Sequence, residues 1–225
     1  MRHTLLSLLL AALVLTLPPG FKATTAVAAD VQPARIEVSN SFERSRTKQG
    51  DIATIETYTS GLDRYIKRNA QRARYFADTS SYENENAPAR WQEFKTKKAL
   101  DNAWQNGKTY TSSNVWFSTT GNPVVALFTL SSPSGDWAQY VTNYYRSDGT
   151  LARLHSELRT FMGDVIVIRD RLYDANGKVL KEQTRYLDLK TRKPKKVKQG
   201  DFMDQEATLY AKTSALPFYA LLKKR

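Results

Sequence analysis

Residues 114–189 read NVWFSTTGNPVVALFTLSSPSGDWAQYVTNYYRSDGTLARLHSELRTFMGDVIVIRDRLYDANGKVLKEQTRYLDL, and their turns decide the fold. Five turn signals punctuate the stretch: Gly121-Asn122, Ser134-Gly135, Asp148-Gly149, Gly163-Asp164 and Asn176-Gly177. They recur about every 13 to 15 residues, between segments rich in Val, Ile, Tyr, Thr and Leu. Asn-Gly and Asp-Gly supply the positive-φ positions that tight hairpins need. Six strands joined by five short turns predict an antiparallel up-and-down sheet. Residues 145–151 and 173–180 each place Tyr four residues before Gly, an echo one hairpin apart that carries no family assignment.

Side-chain chemistry selects a register. A three-residue loop at Met162-Gly163-Asp164 sets Phe161 opposite Val165, Leu158 opposite Ile168 and Leu154 opposite Leu172. It also puts Glu157 across from Arg169 and His155 across from Arg171. A two-residue loop would set Leu158 against Arg169 and Glu157 against Asp170, so apolar and opposite-charge pairing both favour the first. A similar loop at Ala175-Asn176-Gly177 pairs Leu172 with Leu180 and Ile166 with Tyr186, with Arg171 beside Lys181. The expected sheet then has two unlike faces, as antiparallel sheets allow. One carries Leu154, Leu158, Ile166, Ile168, Leu172 and Leu180, joined by Tyr140 and Tyr144. The other carries Arg153, His155, Glu157, Arg159, Arg169, Arg171, Lys181, Gln183 and Arg185. Residues 124–130 are apolar on both sides, which predicts cover on both faces at that end.

Before the sheet, residues 30–49 are polar and suit an arm or a short edge strand at 36–38. Residues 51–76 suit an amphipathic helix, broken near Gly61. Ile52, Ile55, Leu62, Ile66 and Ala73 form its apolar stripe, and Arg64, Lys67, Arg68 and Arg74 fall opposite. Residues 78–89 form a polar connection. Pro88 then suits the first turn of a second helix carrying Trp91 and Phe94, and residues 97–105 a further helical piece with Leu100 and Trp104, ended by Asn106-Gly107. After the sheet, residues 190–198 hold six basic residues in nine. Met203, Leu209 and Tyr210 suggest a short helix, and beyond Pro217 the aromatics of residues 218–222 are expected to dock.

The first 29 residues read as a signal peptide: Arg2 and His3, an apolar run at 5–17, Pro18-Pro19-Gly20, then small residues to Ala29. The apolar run is shorter than the ~20 residues a membrane-spanning helix needs. Residues 30–225 are expected to form one globular domain, with a helical part at 51–105, the meander at 114–189, and a basic loop and C-terminal segment at 190–225. The chain has no cysteine, so an exported fold would hold by packing alone. Without Arg2 and Lys22, 32 basic residues face 22 acidic ones, a balance of +10. Such a charge favours anionic partners and bears on solubility rather than fold.

After the leader the chain has one histidine, His155, so zinc sites built on several imidazoles are excluded, as are thiolate chemistry and cysteine nucleophiles. Ser156 beside it would point to the opposite face of a strand, which disfavours a Ser-His pair. Asp170 and Asp174 are a carboxylate pair to weigh for glycoside hydrolysis, with Glu157 nearby. Asp174-Ala175-Asn176-Gly177 looks like the start of a calcium loop but lacks its remaining ligands, and turn chemistry explains it more simply.

The expectation is an α+β protein, with N-terminal helices packed on one face of a six-stranded antiparallel up-and-down β-meander. It is read as an exported, periplasmic or secreted, non-enzymatic binding or accessory protein of the bacterial envelope, with no metal and no cofactor. Its partner would be an anionic lipid, polysaccharide or envelope protein, with peripheral membrane contact possible and no specific nucleic acid. The contacts would be Arg153, Arg169, Arg171, Lys181 and Arg185, with Lys193, Lys195 and Lys196 adding long-range attraction. The alternatives are an envelope polysaccharide hydrolase using paired carboxylates and a structural protein–protein interaction module.

Overall fold

The computed structural model describes residues 34–80, 87–198 and 200–223. The expected signal peptide lies outside the described residues, as do residues 81–86 of the polar connection. The chain divides into two compact units, Met1–Asn40 and Ser41–Arg225. Of the first only the opening of a helix is described; the sheet and its cover belong to the second.

That helix, α1 (Ala34–Arg68), replaces the expected arm and edge strand and runs through Gly61 without a break. Residues 34–50 carry no apolar stripe, so periodicity misses them, yet their Glu, Arg, Lys and Gln are good helix formers. From Ile52 onward the expected stripe is buried against the sheet. Ile52 and Ile55 pack with Ala152 and Leu172, and Leu62, Tyr65 and Ile66 pack with Trp116, Val125 and Tyr144. Arg64, Lys67 and Arg68 are exposed.

Two strands stand where helix is expected. Residues 74–76 begin β1 (Arg74–Asp78), and Trp91 and Phe94 lie on β2 (Trp91–Phe94) rather than on a helix. A spacing of three suits one face of a helix, but on a strand it sends Trp91 and Phe94 to opposite faces. Arg74 therefore leaves the helix surface. Its Nε donates to Glu93 at 2.7 Å, and its Nη atoms donate to the Leu221 and Leu222 carbonyls. α2 (Lys97–Gln105) forms as expected, capped by the Thr96 hydroxyl accepting from the Ala99 N–H, and buries Leu100 and Ala103.

The six expected strands are β3 (Thr111–Phe117), β4 (Pro123–Ser131), β5 (Trp137–Tyr145), β6 (Leu151–Thr160), β7 (Val165–Tyr173) and β8 (Val179–Asp188). The five turn glycines between them all take positive φ. With β1 and β2 they make one eight-stranded antiparallel sheet, ordered β2-β1-β3-β4-β5-β6-β7-β8.

The register between β6 and β7 differs from the expected one by a residue. Leu158 pairs with Val167, Leu154 with Arg171, His155 with Asp170 and Glu157 with Ile168. Gly163 (φ 81°) and Asp164 (φ 46°) close a four-residue loop at 161–164 instead of a three-residue one. At the next turn the Asp174 N–H bonds the Lys178 carbonyl around the expected three-residue loop. A bulge at Leu172/Tyr173 then shifts the ladder, so Arg171 faces Glu182 and Leu172 faces Lys181. One slip moves side chains across the sheet. Leu154, Leu158, Arg169 and Arg171 share one face, while Ile166, Ile168, Leu172, Arg153, His155, Glu157, Arg159, Lys181 and Arg185 share the other.

The first face is covered by residues 200–223, an extended strap in place of the expected helix. Phe202 packs on Leu158, Val165 and Val167; the Gln139 side chain donates to the Gln205 carbonyl at 2.9 Å, and the Tyr145 hydroxyl to the Tyr210 carbonyl at 3.2 Å. Phe218 stacks on Phe76 with ring centroids 4.5 Å apart, ahead of α3 (Tyr219–Leu222). Crossing a wide sheet explains the extended form, since extended chain covers ~3.3 Å per residue and a helix ~1.5 Å. The second, the helix face, carries α1 along one end of the strands. Hydrogen bonds pin that contact, among them Tyr58 to the Tyr145 carbonyl, Tyr65 to the Phe117 carbonyl and Tyr144 to Asp63 at 2.6 Å, and just past the helix end Trp116 donates to the Asn69 carbonyl. Burial first, then the Asp63 contact, pushes the Tyr144 hydroxyl well above its usual range, which keeps it a neutral donor. Among the described residues no helix is long and apolar enough to cross a membrane.

Candidate functional site: the open stripe of the helix face

Beyond α1, cross-strand partners arrange the helix face in rows. Asn114, Leu127, Thr142, His155, Asp170 and Gln183 form one row across β3–β8. Thr129, Tyr140, Glu157, Ile168 and Arg185 form the next. Most of these side chains are half-buried, and Gln183 and Arg185 at the β8 edge are exposed.

At the centre stands Asp170. Arg153 donates to its Oδ1 through Nε at 2.9 Å and Nη2 at 2.6 Å, and His155 Nδ1 lies 3.0 Å from the same oxygen. Burial alone would raise this carboxyl, but the bonds from His155 and Arg153 outweigh it and bring its pKa to about 2. Asp170 is therefore a fixed anion that orients Arg153 and His155. Glu157 accepts from Arg159 Nε at 2.6 Å, and the Arg159 guanidinium lies 4.9 Å from the Tyr140 ring centroid. A carboxyl held ionised as Asp170 is cannot serve as a general acid. Asp174, expected as its partner, instead accepts the N–H groups of Asn176 and Lys178 and shapes the turn. Among the described residues no three His, Asp or Glu side chains gather to hold a metal ion.

The five arginines and lysines expected as one ligand surface are divided by the register. Arg153, Lys181 and Arg185 are on the helix face; Arg169 and Arg171 are under the strap. Arg169 is buried and bound to Asp204, with Glu206 at 3.7 Å. Arg171 binds Glu182 at 2.7 Å and Glu206 at 3.1 Å. Their charge is neutralised within the fold. Lys181 pairs with Glu56 of α1 at 2.8 Å. Arg185 has no side-chain partner among the described residues. In the basic run, Lys195 closes a turn by donating to the Gly163 and Asp164 carbonyls at 2.8 and 3.0 Å, while Lys193 and Lys196 are exposed. Arg159, absent from the expected contact set, belongs to the open stripe. Its alternation with Glu157 is visible in the sequence, but its stacking on Tyr140 needs the β5–β6 register. Compared with protein-family models, curated proteins and solved structures, the chain finds no match.

Proposed function

We propose that the protein is a non-enzymatic binding or accessory protein, exported to the cell envelope, that engages an anionic envelope component through the open stripe of its helix face. The contacts are Arg159 and Arg185, flanked by Arg153, His155 and Lys181, with Lys193 and Lys196 attracting at longer range. The observation that carries this reading is the exposure of Arg185. The strap's carboxylates neutralise Arg169 and Arg171, and Asp170, Glu157 and Glu56 pair with Arg153, Arg159 and Lys181, whereas Arg185 stands exposed with no side-chain partner among the described residues. The chain's formal charge of +12 supplies the long-range field.

The test is co-sedimentation of the chain from residue 30 onward with anionic and neutral vesicles, and its retention by soluble polyanions, at low and high salt. The reading expects anion-selective binding that high salt abolishes, because exposed charges are screened beyond about 10 Å at 0.1 M. Equal binding to neutral vesicles, or binding that survives high salt, would overturn it.

A further inference from the structure

On the helix face, near the β4–β5 turn, lies a cleft of about 420 Å³. Its volume is within the range of small-ligand sites, about 300–1,000 Å³. It is bordered by Trp104 of α2, Tyr110, and Tyr140 of β5, with Thr129 and Ser131 of β4 between them. Among the described residues no aspartate, glutamate, lysine or arginine lines it.

Trp104 and Tyr140 differ from the aromatic groups that tie α1 to the sheet. Tyr58, Tyr65, Trp116 and Tyr144 each commit their polar atom to a hydrogen bond inside the fold. Buried or half-buried Tyr and Trp usually do so. The Trp104 indole N–H and the Tyr140 hydroxyl have no hydrogen-bond partner among the described residues, although both side chains are half-buried. The side-chain hydroxyls of Thr129 and Ser131 also lack one. The cleft thus brings together the rings of Trp104 and Tyr140 with polar groups of Trp104, Tyr140, Thr129 and Ser131 that have no hydrogen-bond partner among the described residues. Tyr140 connects it to the basic stripe. Arg159 lies over its ring at 4.9 Å. Arg185 stands in the same cross-strand row, three strand spacings or about 14 Å away.

We propose that the anionic ligand is an acidic polysaccharide, whose pyranose rings lie on Trp104 and Tyr140 while its carboxylates meet Arg159 and Arg185. A pyranose presents an apolar, weakly positive C–H face to the negative face of an aromatic ring, and its hydroxyls project around the edge. Unpartnered hydroxyl and indole groups at the rim answer those hydroxyls. A phospholipid headgroup or a polyphosphate would use the arginines and leave the aromatic cleft idle. This inference rests on the anionic reading of the stripe and specifies its ligand.

The experiment compares, by titration calorimetry, a galacturonic acid hexamer, a neutral glucose hexamer and a polyphosphate of matched charge. The proteins are the wild type, Trp104→Ala, Trp104→Phe, Tyr140→Ala and the double variant Arg159→Glu/Arg185→Glu, each first shown to keep its thermal midpoint. The inference expects the galacturonate hexamer to bind most tightly. Trp104→Ala and Tyr140→Ala should weaken it about tenfold, while Trp104→Phe stays within about threefold. Trp104→Ala should leave polyphosphate binding unchanged, and the double variant should abolish binding of both anions. Galacturonate binding equal to polyphosphate binding and indifferent to Trp104 would overturn the sugar assignment and leave the anionic reading standing. Glucose binding as tight as galacturonate binding would overturn the acidic assignment. No binding of either anion would overturn the anionic reading itself.

Discussion

Arg169 is the residue on which the two faces of the sheet can be told apart by experiment. Its side chain is 7% exposed, whereas its partners Asp204 and Glu206 are 44% and 59% exposed. Its Nη1 is buried without a hydrogen-bond partner among the described residues. A hydrogen bond to a charged group contributes ~1.5–3 kcal/mol, but partners this open to water reduce that to about 1 kcal/mol. Arg169→Ala also removes the alkyl stem from beneath the strap, bringing the expected loss to about 2 kcal/mol. Arg169→Met keeps much of the stem and relieves the unpaired Nη1, so it should lie within about 1 kcal/mol of wild type. With a urea slope near ~2 kcal/mol/M, the alanine variant should unfold about 1 M earlier and the methionine variant within about 0.5 M of wild type. Both should keep their affinity for a polyanion. The reasoning is refuted if Arg169→Met is stable yet no longer binds, because Arg169 would then be a ligand contact. A fully stable Arg169→Ala would refute the strap anchor.

Further perturbations test other parts of the fold. A Cβ at Gly163 would stand 2.6 Å from the Asp201 carbonyl oxygen and 2.8 Å from the Phe202 Cβ, whereas at Gly177 it would meet none of the described residues within 4 Å. Both glycines have positive φ, so Gly177→Ala should cost only the ~1–2 kcal/mol of left-handed strain, while Gly163→Ala should cost more and loosen the strap in hydrogen exchange. Equal losses would mean that the strap does not bear on the 161–164 turn. Asp170 titrates near 2 in the fold against an ordinary value of 3.8. Because its pKa is lowered on folding, its contribution of about 2 kcal/mol is present above pH ~4 and is lost as pH falls through about 2. The stability gap between wild type and Asp170→Asn should therefore close over that window, and a gap independent of pH would contradict the Arg153–Asp170–His155 cluster. Phe218, 1% exposed against Phe76, Trp91 and Phe128, should cost ~3–5 kcal/mol as Ala, read by urea unfolding; under ~1 kcal/mol would show that the strap's end is not part of the core.

Much of the fold is legible in the sequence because turns are local. The glycines at 121, 135, 149, 163 and 177 mark the joints of β3–β8, and Asn106-Gly107 marks the end of α2. β1 and β2 are hidden because β1 follows closely on a helical stripe, and the spacing of Trp91 and Phe94 imitates another helix. The site is less legible because it depends on register, and register depends on single residues. Pairing Leu158 with Ile168 and Glu157 with Arg169 satisfies pairwise chemistry across two strands. It cannot anticipate that Asp204 and Glu206 arrive from 35 residues beyond Arg169 and Arg171 to hold both arginines on the far face. The strap is hidden for a related reason. Its alternation of Phe202, Asp204 and Glu206 toward the sheet has meaning only once the face beneath it is known.

The most direct test of the central claim is the affinity for a soluble polyanion of Arg159→Glu/Arg185→Glu compared with a charge-matched control, Lys212→Glu/Lys223→Glu, which reverses two exposed lysines of the strap. If the open stripe is the binding surface, the first variant should lose at least about tenfold in affinity and the control less than about threefold, because contact charges outweigh remote ones. Equal losses in the two would show that net charge, rather than the helix face, attracts the ligand.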